Sequence, residues 1–382
     1  MVANWLLSAG NIPRTERKTQ PGPVPGLTFV IANARMVPMM KNIKFGRRMA
    51  AWISGILIGT ACLTGCAHGG GTPLSQSSFL LDTFVTVTIY GSRHIFPQKN
   101  QDILQGSMDL CKSYEDLLST TRDTSEIYKI NHREPGTRSM TVSEDTARVI
   151  ERGLEYGRMS GGAFDITVEP LSSLWDFKSN DPQIPDRAEI EKDLHMVDYR
   201  AIRVEDCQVL FDRDDTRIDL GAIAKGFIAD RLKEYLEENG VTSAVINLGG
   251  NVLCLGERPD GEPFKIGLQK PFADHQEAVA ALNIRDMSVV SSGVYERHFV
   301  KDGVNYHHIL NPRTGFPYEN GLVQVSIISK ESVDGDGLST TCFALGLDQG
   351  IELLDSLDDV YGIFMTEDGE LHYSRGARDF LE

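Results

Sequence analysis

Basic residues are in short supply in this chain of 382 residues: 38 lysines and arginines face 54 aspartates and glutamates, a formal balance of −16. That argues against a nucleic-acid partner, because neutralising phosphates takes basic surface. Acidic surface of this kind confers solubility without naming a partner. Cysteine is also sparse, with six in all. Cys111, Cys207, Cys254 and Cys342 stand too far apart for any C-x-x-C spacing, so neither a zinc site nor a dithiol redox motif is indicated. The Gly-Lys-Ser/Thr of a P-loop is missing, as are internal repeats and low-complexity tracts. What the chain does have is 41% hydrophobic residues, enough for a packed core and far from the composition of a disordered protein.

The longest apolar stretch, Met49 to Leu63, is short for a membrane span and broken by Gly and Ser. Lys41, Lys44, Arg47 and Arg48 precede it, which is the charged and apolar order of an export signal. It runs into Leu63-Thr64-Gly65-Cys66, which resembles a bacterial lipobox with Cys66 as the lipidated residue. The expected organisation is an over-extended or removed segment at 1–38, a lipoprotein signal at 39–65, a polar tether at 66–78 and one domain over 79–382. An uncleaved membrane anchor is the alternative. Cleavage before Cys66 removes eight basic residues and one glutamate and leaves a balance of −23. The expected location is a membrane-anchored lipoprotein facing the periplasm or cell exterior.

Along the domain, Phe79 to Tyr90 reads as a strand rich in β-branched residues. Asp102–Leu118 carries Ile103, Leu104, Met108, Cys111, Tyr114 and Leu118 at helical spacing, and Ser143–Met159 is a second helix with a cap at Thr141 or Ser143. Residues 176–198, with Pro182 and Pro185, read as a surface loop. Arg217–Leu220 closes a strand and is followed by Gly221-Ala222-Ile223-Ala224-Lys225-Gly226 and a helix. On that helix Ile223, Phe227, Leu232 and Leu236 face inward, while Asp230, Lys233 and Glu234 face water. The first amides of such a helix, with Lys225 beside them, suit a pyrophosphate. Ser243–Leu248 is a buried strand ending in Gly249-Gly250. Further strands are expected at 264–268, 279–284, 288–290, 323–328, 360–365 and 370–374. This order of strands and helices indicates an α+β fold in one large domain with mixed sheets.

The chain is organised around Ser332 to Gly346, a loop turning into a helix with Leu338, Cys342, Phe343 and Leu345 as its apolar stripe. Asp336 and Thr340 lie four apart on one face. A carboxylate and a hydroxyl so placed suit a hard cation, and magnesium needs only one or two protein carboxylates. Asp336 as a simple helix cap is the competing reading. An EF-hand beginning at Asp334 fails, since Leu338 and Leu345 stand where oxygen ligands are required.

Seven stretches together resemble the ApbE-type FAD:protein FMN transferases. They are Ser125-Glu126-Ile127 with Asn131, Gly162 to Val168, Asp219 to Gly226, Asn247-Leu248-Gly249-Gly250, Ser291-Ser292-Gly293, His308 to Gly315, and Asp336 with Thr340. The resemblance implies transfer of FMN from FAD to a Thr or Ser hydroxyl of an acceptor redox protein, with AMP leaving. It places magnesium on Asp336, Thr340 and the carbonyl of Ala222. It places Asn131, Ala163, Phe164, Asp165, Asp219, Lys225 and His308 around FAD. His308 is the candidate base, because an unperturbed imidazole titrates at about 6.5; alternatively His308 only hydrogen-bonds FAD and an Asp of the site is the base. Leu81-Asp82-Thr83 departs from the family's Met-Gly-Thr. Asp334 departs too, and if it reaches the ion, calcium or a second metal enters. A non-catalytic flavin-binding lipoprotein and an FAD pyrophosphatase remain as other readings of the same pocket.

Overall fold

The computed structural model describes residues 72–94, 97–177, 179, 181–273 and 277–382. The expected signal, Cys66 and the first part of the tether therefore lie outside the described residues. The described chain enters on β1 (Leu74–Leu80) and turns directly back as β2 (Thr83–Ser92). The single strand expected over 79–90 is thus a hairpin. Leu81 and Asp82 both have positive φ, 55° and 58°, the backbone that lets a two-residue turn match the twist of its strands. Asp tolerates that region through its short polar side chain. The hairpin pairs Leu74 with Ile89 and Leu80 with Thr83, so the residues from Leu74 onward assigned to the tether belong to β1.

The chain continues through α1 (Pro97–Leu118), α2 (Glu126–Asn131), β3 (Ser139–Thr141), α3 (Glu144–Met159), α4 (Glu169–Trp175), α5 (Arg187–Leu194), β4 (Ile202–Glu205) and β5 (Gln208–Phe211). Then come α6 (Ala224–Glu238), β6 (Val241–Leu248), β7 (Asn251–Leu255), β8 (Phe264–Gln269), β9 (Ala278–Ile284), β10 (Ser288–Gly293), β11 (His298–Lys301) and β12 (Val304–His307). The last elements are β13 (Leu322–Ser329), α7 (Ser332–Leu345), α8 (Leu347–Asp355), β14 (Val360–Thr366) and β15 (Leu371–Tyr373). The α+β expectation holds. Among the described residues, eight strands form one sheet in the order β1-β2-β6-β7-β10-β13-β14-β15, antiparallel at every junction.

Both faces of this sheet are covered, which is why its central strands read as almost unbroken apolar runs rather than as clean alternation. Ala244, Ile246, Leu253, Ile327 and Phe364 point into the core shared with α1, α3, α6 and α7. Their neighbours Val245, Val252, Cys254, Ile328 and Ile363 point the other way, onto the β8–β9 hairpin. A third core gathers Leu171, Trp175, Ile190 and Leu310. Ile190 corrects the surface-loop reading of 176–198: it anchors α5, whose first turn is capped by Asp186 accepting from the Ala188 N–H at 2.8 Å.

The segment Arg217–Leu220 is not a strand. Its backbone is held in part by a side chain: the Asn131 amide donates to the Ile218 carbonyl and accepts from the Ile218 N–H, both at 2.8 Å. The glycine pair Gly249-Gly250 is the hairpin turn between β6 and β7, with φ of 63° and 104°. A Cβ on Gly249 would stand 2.0 Å from the Thr83 hydroxyl, which brings the tips of two hairpins together.

Candidate active site

The helix α7 is buried on nearly every side, and glycine makes that possible. A Cβ on Gly335 would come within 2.5 Å of Val290 on β10, and one on Gly337 within 2.1 Å of the Tyr156 ring on α3. Helix α6 crosses the start of α7 as tightly, since a Cβ on Gly226 would lie 2.2 Å from the Ser332 carbonyl oxygen. Close approach of this kind sets the geometry of everything at the crossing.

At that crossing Asp336, only 4% exposed, accepts the Gly226 N–H through Oδ2 at 2.6 Å. Gly226 lies in the first turn of α6, whose N–H groups have no partner inside the helix; this one is directed at α7. Lys225 Nζ stands 3.6 Å from Asp336 Oδ1. The expectation that the first amides of α6 are open donors is therefore only partly met, because Asp336 takes one of them. Thr340, one turn along α7, has its hydroxyl 3.1 Å from Ser292 Oγ. Ser292 Oγ is also 2.8 Å from Ser339 Oγ. Asp336 and Thr340, one turn apart on α7, are thus hard oxygen donors at a crossing that also carries Lys225. Among the described residues no three His, Cys, Asp or Glu side chains converge as a metal site. A cation here would rest on one carboxylate, one hydroxyl and a carbonyl with its remaining positions open, which fits magnesium and not zinc.

Asp334 is committed elsewhere. Its Oδ1 pairs with the Arg152 guanidinium and accepts from the Tyr156 hydroxyl at 2.7 Å. It faces α3, so the idea that it recruits calcium or a second metal to the site is not supported. Asp230 is the other surprise. Expected to face water, it lies against α7 and accepts the N–H groups of Ser332 and Val333 at 2.7 and 2.9 Å. Burial, opposed by those two hydrogen bonds, pushes its carboxyl up to about 7. A pattern for it exists in the sequence: Gly226, where α7 crosses, and Asp230 are one turn apart on the same helix face.

The remaining predicted residues divide into those that face the crossing and those that support it. Asp219 opens the loop into α6. Its Oδ1 accepts the Gly221 N–H at 2.8 Å and its Oδ2 the Ser172 hydroxyl at 3.0 Å. Asn131 is buried and fastens Ile218 beside it, so its contribution to a ligand is indirect. Asp165 is spent within its own loop: Oδ1 holds the Thr167 N–H and hydroxyl, and Oδ2 holds the Tyr199 N–H at 2.9 Å. Burial raises its carboxyl above the usual range. Phe164 is a core residue, edge-on to Tyr156 at 5.7 Å. The carbonyl of Ala163 accepts the Tyr318 hydroxyl at 2.9 Å, a link between this loop and the His308 turn. Sequence reasoning missed Ser172, Asn251, Tyr318 and Ser339; Asn251 accepts the Ser332 hydroxyl at 2.8 Å.

His308 joins the site electrostatically. Burial pushes its imidazole down to about 3, and the charges of Arg297 and Lys225 push in the same direction. Its Nδ1 is closed off from solvent and has no hydrogen-bond partner. The assumption of an ordinary imidazole titrating at about 6.5 is thus corrected: burial and neighbouring cations hold His308 well below that value.

A family model described as the ApbE family matches residues 81–364. A Klebsiella pneumoniae (strain 342) protein named FAD:protein FMN transferase is 40% identical over 271 residues, covering 70% of this chain and 84% of that protein. A Treponema pallidum (strain Nichols) protein of the same name is 30% identical over 345 residues, covering 86% of this chain and 94% of its own. The fold is similar to the crystal structure of the ApbE protein from Thermotoga maritima, with TM-score 0.74 and 29% identity over 81% of this chain and 100% of that one. It is also similar to the flavin transferase ApbE from Vibrio cholerae, with TM-score 0.73 and 25% identity over 81% and 99%.

Proposed function

The chain belongs to the ApbE family and transfers FMN from FAD to an acceptor protein; from that premise we propose how its residues divide the work. The observation that carries the proposal is the α6–α7 crossing, which sets Asp336 and Lys225 together at the start of α6, with Thr340 one turn further along α7. We assign the acceptor atom to a Thr or Ser hydroxyl. Its oxygen bonds to the phosphorus of the FMN half, the bridge to the AMP half breaks, AMP leaves with the electron pair, and the hydroxyl proton passes to a base.

Asp336, Thr340 and the Ala222 carbonyl would hold magnesium. When bound, the ion supplies charge neutralisation at the pyrophosphate of FAD. Lys225 adds a fixed positive charge at the same place, and the N-terminal end of α6 adds its dipole. Asp219, through Ser172 and Gly221, fixes the loop from which Ala222 and Lys225 project. Asn131 and Asp165 hold that loop and its neighbour in place. His308 is the proposed base, with a condition attached. The negative charge of bound FAD would offset Arg297 and Lys225 and so raise the imidazole's basicity from the low value that burial chiefly sets.

The expected lipobox, with Cys66 lipidated, underlies the proposed location at a membrane surface outside the cytoplasm. More than one acyl chain gives stable anchoring where a single chain does not. Because β1 starts at Leu74, the tether from Cys66 is about eight residues, and at roughly 5–6 Å × √n it reaches about 15 Å. The acceptor is then a redox protein held at or exported to the same surface.

Incubation of residues 67–382 with FAD, magnesium and a candidate acceptor tests the reading. The expected product is an acceptor heavier by FMN, with AMP released in equal amount and no reaction under chelation. Release of FMN and AMP with no adduct on any acceptor would make the protein a pyrophosphatase instead. Tight FAD binding with no turnover would make it a carrier.

A further inference from the structure

Three hydroxyls beside the crossing form a chain whose proton directions are set by its far end. Ser339 Oγ donates to the Asp336 carbonyl at 3.0 Å, a bond that runs one way because a carbonyl only accepts. With its own proton committed, Ser339 Oγ must accept in its 2.8 Å contact with Ser292, so the Ser292 proton points at Ser339. Ser292 Oγ then has only lone pairs left for its 3.1 Å contact with Thr340, and Thr340 must be the donor there. Ser339 and Ser292 belong to elements far apart in sequence, α7 and β10, and Ser339 is 1% exposed, so water does not readily replace the Ser339 hydroxyl.

We propose that Ser292 and Ser339 are positioning residues that turn the Thr340 proton away from the metal position and present its oxygen lone pairs there. A hydroxyl ligates a cation through oxygen, and a proton aimed at the cation opposes it. A freely rotating threonine would spend part of its time in that opposing state and would have to be reoriented on binding. The relay removes that rotation beforehand. It rests on the reading of Thr340 as a magnesium ligand and deepens it, because it gives a reason for a serine on a different element. Partners that orient a ligand in this way typically change metal affinity by 10- to 100-fold when removed.

The test reads metal binding directly. Mn²⁺ is titrated into the full chain with FAD present, and bound and free ion are separated by electron paramagnetic resonance. Ser339→Ala is the cleaner variant, because alanine favours the helix and the Ser339 hydroxyl bonds to Ser292 and the Asp336 carbonyl and not to the Thr340 hydroxyl. Losing it frees the Ser292 proton to face Thr340, so Mn²⁺ affinity should fall about tenfold. Ser292→Ala should fall comparably, and Ser292→Thr, which keeps the hydroxyl, should recover most of the loss. FAD affinity without metal should be unchanged in all three, which a general loosening of the fold would not produce. Thr340→Ala is the control for the underlying reading. If it weakens Mn²⁺ binding while Ser339→Ala and Ser292→Ala do not, the relay is wrong and the ligand assignment stands. If Thr340→Ala itself binds Mn²⁺ as the parent does, both fall together.

Discussion

Asp230 and Asp336 cap each other's helices. Asp230, on α6, accepts the first N–H groups of α7, and Asp336, on α7, accepts an N–H in the first turn of α6. Each carboxylate sits at the positive end of the partner's dipole. The proposed metal ligand is therefore held by the same pair of contacts that fixes the crossing angle, and the site is built into the packing instead of being hung on a loop.

Replacing Asp336 by Asn separates its two duties. Asn keeps an oxygen for the Gly226 N–H but gives up the charge, so FMN transfer should fall by about 10²- to 10³-fold, the range seen when an electrostatic contact to the transition state is lost. The melting temperature should move little. Asp334→Asn should do the reverse, keeping turnover within a few-fold while lowering the melting temperature, because Arg152 loses one of its carboxylate partners and keeps Glu155. Mass spectrometry of the acceptor and thermal melts followed by circular dichroism check both; near-parental turnover in Asp336→Asn would sink the ligand assignment.

The raised carboxyl of Asp230 makes a prediction about stability with a definite sign. Free aspartate ionises near 3.9 and Asp230 near 7, so between these values the folded state binds more protons than the unfolded one. Stability from this group is then complete below pH 4 and is lost as pH rises towards 7. The difference in melting temperature between parent and Asp230→Asn should shift against the parent over that interval. A difference that is flat from pH 4 to 7 would mean that Asp230 is already charged.

His308 should be silent in the pH range where histidines usually titrate. Its ring proton resonances in the ligand-free protein should show a midpoint near 3 and should move towards neutrality when FAD is added. An ordinary midpoint of 6 to 7 without FAD would contradict the burial and charge argument. His308→Ala should slow transfer by roughly 10²- to 10⁴-fold if it is the base.

Gly337→Ala tests the close packing of α7 on Tyr156. Helix propensity alone favours alanine by about 1 kcal/mol, yet the new Cβ would meet the ring at 2.1 Å. Overpacking of this sort costs about 1–3 kcal/mol, so the melting temperature should fall and transfer with it. A stabilised variant would show that α3 and α7 can move apart.

Fractionation of cells carrying Cys66→Ser tests the proposed anchoring. The variant should leave the membrane fraction or remain as unprocessed precursor. If it is as firmly bound and as mature in size as the parent, lipidation at Cys66 is not the anchor.

The sequence by itself determined the order of the motifs, the spacing of Asp336 and Thr340, and the apolar faces of α1 and α6. These are local properties: side chains three or four apart share a helix face whatever surrounds them. It could not determine what each polar side chain meets. Asp230 and Asp336 look alike as helix acids, and Asp334 and Asp336 are two residues apart. Their partners, Ser332, Gly226 and Arg152, come from other elements brought in by tertiary packing. The same holds for Asn131, whose amide pairs with Ile218 across 87 positions of sequence, and for His308, whose neutrality comes from burial and from charges on separate loops. Hydrogen bonding and desolvation depend on which atoms are within a few ångströms. That proximity was decided by the glycines at 226, 335 and 337, which let α3, α6, α7 and β10 approach closely enough to make one site.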